Sequence, residues 1–154
     1  MTREETAKYT EPIKDGKIRQ FSFDMDARSI ITFPAYPVKV ERGWIEIRGL
    51  AWSGRGKIVK VEVSTNAGKS WQAALLQEPV LDKAHTYLRY LWNWDATTTE
   101  ILSRAIDETG YTQPTLQQLI NARETDMGGY HLNPVTNWIV KCGGDVVFKA
   151  EKFK

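Results

Sequence analysis

Apolar and polar residues alternate along most of the chain after residue 20, and that alternation predicts its elements. Phe21, Phe23 and Met25 are spaced by two, and Ser29-Ile-Ile-Thr-Phe33 is rich in β-branched residues until Pro34 stops it. After a Pro-containing loop comes Trp44-Ile-Glu-Ile-Arg-Gly-Leu-Ala-Trp52, with Ile45 and Ile47 on one face. In Lys57-Ile-Val-Lys-Val-Glu-Val-Ser64, the residues Val59, Val61 and Val63 fall on one side and Lys60, Glu62 and Ser64 on the other. These valines, with Trp71 and Trp138, are expected in the core. A strand at Trp71–Leu76 follows. From Tyr87 to Trp94 the large residues Leu88, Tyr90, Trp92 and Trp94 share one face, and Glu100–Glu108 fits a further strand. Trp138–Cys142 and Val146–Phe153 close the set around Gly143-Gly144-Asp145, a hairpin signal. Only Thr115–Ala122 suggests a helix, and it is short. Many short strands broken by Gly, Pro and Asn, without βαβ alternation, predict an all-β sandwich of about seven strands.

Composition adds limits. The 154 residues make one domain, with 42% hydrophobic and 26% charged residues, ordinary for a globular chain. A net charge of +2 advertises no basic field for nucleic acid. No apolar run approaches the ~20 residues that span a bilayer. The first seventeen residues are polar, end in the turn signal Asp15-Gly16, and read as a linker or arm.

Two stretches invite a functional reading. Gly49 and Gly54 have the glycine spacing of a phosphate-binding loop, but Arg55 stands where lysine is needed and a valine-alternating strand follows instead of a helix. Ser53-Gly54-Arg55-Gly56 is better read as a tight connection needing positive φ. Ser64-Thr-Asn66-Ala-Gly68-Lys-Ser70-Trp71 resembles an Asp-box hairpin, in which Asn66 caps turn amides, Gly68 is left-handed and Trp71 folds back. A single copy marks a hairpin and not a sialidase propeller. The lone Cys142 and two histidines are too few for a zinc site, and Cys142, placed in a core strand, reads as a small buried hydrophobe. Asp24 and Asp26 read as solvated neighbours on one strand face. No Ser/His/Asp arrangement with a nucleophile elbow is present.

As a set, these residues are specific. Gly49-Leu-Ala-Trp-Ser-Gly54 with Val61-Glu-Val-Ser64, Gly68 and Ser70-Trp71 resembles the C-terminal dimerisation domain of the sulfite oxidase family of molybdenum enzymes. Arg89-Tyr-Leu-Trp-Asn-Trp94 looks like that family's tryptophan-rich strand. Ile101 through Arg104-Ala105 and Asp107 to Gln113-Pro114 looks like its I-x-x-[RK]-A-x-D-x-x-x-x-x-Q-P segment, and Asn137-Trp138 sits before its last strands. The opening Thr2–Thr10, with Arg28-Ser-Ile-Ile-Thr32, is most similar to the bacterial sulfane dehydrogenase branch of the sulfur-oxidation (Sox) pathway.

The resemblance implies an immunoglobulin-like (E-set) sandwich over residues 18–154 and, in residues 1–17, a linker from an upstream molybdopterin domain that this chain lacks. It implies a domain that is not itself catalytic, with molybdopterin-molybdenum held upstream and no cofactor or metal ligand here. It further implies a homodimer, a c-type cytochrome accepting electrons, a periplasmic location, and no nucleic-acid or membrane partner. Tyr90, Trp92 and Trp94 are the candidate dimer-interface residues. Where the family often carries an arginine over the substrate anion, this chain has His131, in Gly128-Gly-Tyr-His-Leu-Asn-Pro134. That makes His131 the substrate-approach candidate, and a histidine bonded to a nearby carbonyl its plainer reading. Composition alone permits a second function, a free-standing immunoglobulin-like binding module.

Overall fold

The computed structural model describes residues 10–13, 17–20, 24–123 and 132–149. Thr10–Ile13 (β1) and Lys17–Gln20 (β2) pair antiparallel as a two-stranded sheet on either side of the Asp15-Gly16 signal. A boundary after residue 17 therefore falls inside a strand pairing. The helix suggested by the sequence is Leu116–Arg123 (α1), one residue beyond the expected end. Its N-terminus is a reciprocal cap: Gln118 N–H donates to Thr115 Oγ1, and Thr115 N–H donates to Gln118 Oε1.

The remaining strands make two packed antiparallel sheets. The first contains Arg28–Phe33 (β3), Gly43–Trp52 (β4), Leu75–Leu76 (β7) and Thr86–Trp94 (β8), in the order β3-β4-β8-β7. The second contains Ile58–Ser64 (β5), Gln72–Ala73 (β6), Thr99–Asp107 (β9), Asn137–Val140 (β10) and Val146–Lys149 (β11), in the order β11-β10-β9-β5-β6. The single strand expected at Trp71–Leu76 is thus two short ones. It pairs first with β5 and then, past Ala74, crosses to β8 in the opposite sheet. The seven longer strands of the two sheets are those the alternation predicts. Phe21, Phe23 and residues 150–153, expected as strand, lie outside the described residues, and Met25 is exposed.

Between the sheets lies a core of Ile45, Ile47 and Ala51 from β4, Val61 and Val63 from β5, Leu88, Trp92 and Trp94 from β8, Ile101 and Ala105 from β9, and Val140 and Val146. Val59 does not join it and is 55% exposed. The pairing of β5 with β9 shifts register between Ile58 and Lys60, and the extra residue of that bulge turns Val59 out while Ile58, 2% exposed, takes the inward place. Trp71 and Trp138 are half-buried rather than enclosed.

One edge of the sandwich is sewn shut. Gln113 is 2% exposed and its amide reaches both sheets: Oε1 accepts from Ser29 N–H of β3 at 2.8 Å and from Ala105 N–H of β9 at 3.2 Å. Its Nε2 donates to the carbonyls of Ser29 and Pro134. Beside it the Ser29 hydroxyl donates to Ser103 Oγ at 2.6 Å, and the Trp138 indole N–H donates to the Ile31 carbonyl. These bonds satisfy β3 and β9 backbone groups that no strand covers on that side.

Candidate functional site

The glycine-rich loop after β4 turns a corner and holds no anion cradle. Gly56 has φ +146°, as the sequence demands, whereas Gly54 is needed for room, because its N–H bonds the Met25 carbonyl at 2.8 Å and a Cβ would lie 2.6 Å from Met25 N. Arg55 between them pairs with Asp26 and lies 5.2 Å over the Tyr111 ring. Asp26 is therefore not a solvated neighbour of Asp24: it is buried and ion-paired, while Asp24 is exposed.

Asp107, fully buried, organises the same end. One carboxylate oxygen accepts from Thr109 N–H, Thr109 Oγ1–H and Tyr111 N–H, and the other accepts from the Ser53 hydroxyl at 2.8 Å. Burial pushes its pKa up, but the bonds from Thr109, Ser53 and Tyr111 outweigh that and hold it below the ordinary value. The Asp of the A-x-D segment and the Gln of its Q-P thus have structural roles, one closing a loop and one joining the sheets. Asn133 belongs here too, donating to the Ala27 carbonyl and the Tyr111 hydroxyl.

The outer face of the five-stranded sheet carries a cluster of mutually paired polar side chains. Glu62, on β5, receives Lys60 Nζ at 2.7 Å and Arg104 from β9 at 2.7 Å. Burial raises the Glu62 pKa, and the hydrogen bonds and charges of Lys60 and Arg104 reverse this, leaving the carboxyl lowered. The Arg104 guanidinium also lies 4.2 Å over the Trp71 ring. Trp71 reaches that place because the hairpin folds as expected: Asn66 Oδ1 accepts from Ser70 N–H, Ser64 Oγ accepts from Gly68 N–H, and Gly68 has φ +81°. Further along, Glu100 receives Lys149 and Asn137.

The four-stranded sheet is built differently. Tyr90, Trp92 and Trp94, the candidate interface residues, point inward on β8; Trp92 is 9% and Trp94 2% exposed, and Tyr90 is half-buried against the core. Of the six tryptophans, Trp92 and Trp94 fill the sandwich, while Trp44 is exposed and Trp52, Trp71 and Trp138 are half-buried. What β8 offers to solvent is the opposite set, Tyr87, Arg89, Leu91 and Asn93, beside Trp44, Glu46 and Arg48 of β4 and Leu75 of β7.

His131 lies outside the described residues. Cys142 is not in a core strand: β10 ends at Val140, and Cys142 is exposed in the Lys141–Asp145 turn. Its N–H donates to Thr98 Oγ1. Among the described residues no group of three or more His, Cys, Asp or Glu is placed to share a metal ion, and no helix is long and apolar enough to cross a membrane.

Two packed antiparallel sheets with a single short helix among the described residues define an immunoglobulin-like β-sandwich. The sequence profile of the Mo-co oxidoreductase dimerisation domain matches residues 19–137. The chain belongs to that family, the dimerisation domain of sulfite oxidase-type molybdenum enzymes. Among solved structures it is similar to the sulfane dehydrogenase SoxCD from Paracoccus pantotrophus, with 40% identity and a TM-score of 0.88 over 98% of this chain and 39% of that one. It is also 29% identical to mitochondrial sulfite oxidase of Homo sapiens over 116 residues, 70% of this chain and 21% of that protein. With the NADH nitrate reductase of Cucurbita maxima it shares 32% identity over 108 residues, 59% of this chain and 12% of that protein. The chain thus spans about a fifth or less of the length of these two curated relatives.

Proposed function

We propose that this chain is the subunit-pairing domain of a molybdopterin oxidoreductase that oxidises reduced sulfur compounds, of the sulfane dehydrogenase type. The observation that carries this is the similarity to the sulfane dehydrogenase along almost the whole chain at 40% identity. Identity to a sulfite oxidase and a nitrate reductase is lower and covers less of the chain. Because proteins named for sulfite and for nitrate both resemble this chain, its core does not by itself select the substrate. On this reading molybdopterin sits in an upstream domain joined through residues 1–17, and the whole enzyme works in the periplasm as a homodimer passing electrons to a c-type cytochrome. His131, in place of the family's arginine, approaches the substrate from this domain and favours a sulfane over sulfite.

The test compares the 154-residue chain with a polypeptide that includes the coding sequence upstream of Met1, both made in a molybdenum-replete host. The short chain is expected to hold no molybdenum by elemental analysis and to reduce no cytochrome c with sulfite or a sulfane donor. The longer polypeptide is expected to hold molybdenum and to reduce cytochrome c with a sulfane donor. Stoichiometric molybdenum in the short chain, or an upstream segment without a cofactor domain, overturns the proposal.

A further inference from the structure

We infer that Arg48 and Arg89 form a site for a doubly charged tetrahedral oxyanion of the sulfate, thiosulfate or phosphate class. It is a ligand site of this chain's own and does not rest on the pairing role proposed above. The register of β4 with β8 sets the two arginines directly opposite each other, and both are exposed on the outer face of the β3-β4-β8-β7 sheet. Side chains in that relation start about 5 Å apart at Cβ, and like charges so placed destabilise a sheet. A bound dianion turns that repulsion into attraction.

Neither guanidinium has spent its donors within the chain. Arg48 lies 4.7 Å over the Phe33 ring, and its Nε is 4.0 Å from Glu46. The ring takes the flat face of the guanidinium and leaves its N–H edges free, and the carboxylate is beyond hydrogen-bond reach. The Arg89 side chain has no hydrogen-bond or ion-pair partner among the described residues. The other arginines on the strands of the two sheets are engaged: Arg28 donates to the Leu132 carbonyl, and Arg104 holds Glu62.

The donors and their surroundings define the ligand. A tetrahedral oxyanion has two separate O–O edges, so each planar guanidinium fork takes one edge bidentately and two positive charges meet a double negative one. A carboxylate has one such edge and a single charge, and chloride has no edge. Phe33 lies across from Arg48 on β3 and Leu75 across from Arg89 on β7, while Tyr87 and Leu91 stand in the rows on either side. Leu75, Leu91 and Tyr87 are 77%, 61% and 58% exposed, so they stand up around the pair and displace water from its flanks. That lowers the local dielectric and strengthens the pairing at the centre. Glu46 shares the row of Leu91 and repels an anion that extends along the strands, which keeps the site for a small one.

The test follows the arginine Nε–Hε signals of the isotope-labelled 154-residue chain by NMR while sulfate or thiosulfate replaces chloride at constant ionic strength. Phenyl phosphate, in a parallel titration, probes the same anion carried on an apolar group. The Arg48 and Arg89 signals are expected to move together with one Kd on the order of 1 mM, as suits ion pairs at an exposed surface. Arg48→Gln and Arg89→Gln should each weaken binding by about 10-fold or more, and Arg89→Lys, which keeps the charge without the fork, by about 3-fold or more. Lys141→Gln removes the same charge from an exposed turn of the other sheet and should leave Kd unchanged. Thermal unfolding gives a second readout. Arg89→Gln is expected to raise the Tm in chloride, by removing the like-charge pair, and to abolish the rise that sulfate gives the wild type. Arg89→Gln decides alone if Arg48→Gln, which strips the Phe33 ring, fails to fold. Tighter binding of phenyl phosphate than of sulfate assigns the site to an esterified anion, and the reverse order to a free one. Signals that move at different anion concentrations, or a Kd unchanged in Arg89→Gln, overturn the site.

Discussion

The two sheets share one core but finish their outer surfaces in opposite ways. On the five-stranded sheet each acidic group named above meets its bases within the chain: Glu62 holds Lys60 and Arg104, Arg104 covers Trp71, and Glu100 holds Lys149. On the four-stranded sheet Arg48 faces Arg89, and Trp44, Leu91, Tyr87 and Leu75 stand in solvent. On the first surface these charges are paired within a single chain, although Val59 stands out at its bulge. The second leaves four large apolar side chains in water.

That contrast requires the two sheets to act as one body, which is where the largest effect is expected. Gln113→Ala removes the amide bridging β3 and β9 and leaves the buried N–H groups of Ser29 and Ala105 without it. We expect a loss of about 3 kcal/mol in urea unfolding, with tryptophan fluorescence and circular dichroism still coinciding. Separate transitions for the two probes would mean that the sheets unfold independently. Next comes the bulge that decides which β5 residues belong to which side. Val61→Ala should cost about 2 kcal/mol by cavity formation, and Val59→Ala less than about 0.5 kcal/mol. Equal costs would remove the bulge and restore simple alternation.

The smallest effect compares two glutamates directly. Glu62→Gln neutralises a buried carboxylate held by two partly exposed bases and is expected to cost about 1 kcal/mol at pH 7. Glu46→Gln, on the exposed face, should fall within about 0.5 kcal/mol in the monomer. The sign of the pH dependence follows from the lowered pKa of Glu62. Its ionised form is favoured in the folded state, so its contribution is complete above the unfolded carboxylate value of ~4.3. That contribution fades as pH falls through the lower folded value. The Tm difference between wild type and Glu62→Gln should therefore be full at pH 6–7 and shrink below about pH 4. A difference that grew on acidification would contradict the lowered pKa.

Most of the fold was legible along the chain, and its errors have local causes. Ile45, Ile47, Leu88 and Trp94 are inward because a regular strand alternates, and nothing interrupts β4 or β8. Val59 is outward because one bulge residue reverses the phase, and a bulge has no periodic signature. Cys142 is exposed because the strand before the glycines stops at Val140, two residues early. Asp26 looked solvated beside Asp24 because its partner, Arg55, is distant in sequence and meets it only through the corner at Gly54–Gly56. The Asn66 hairpin was legible in full, since its bonds run between residues at most four apart. Which face of β8 turns inward was not legible: large aromatics satisfy a core and a surface equally well, and alternation does not say which face meets the other sheet.

By itself, then, the sequence determined what depends on near neighbours and on type: an all-β chain, the strand places, the glycine turns, the Asx hairpin and the family motif. Tertiary structure alone decided what depends on residues far apart in the chain. Gln113 became the seam between Ser29 and Ala105, Glu62 found Arg104, and Trp92 and Trp94 went inside while Trp44 and Leu91 stayed out. A period of two divides a strand into two faces and is symmetric between them. Only the packing of the second sheet breaks that symmetry, by removing one face of each strand from water.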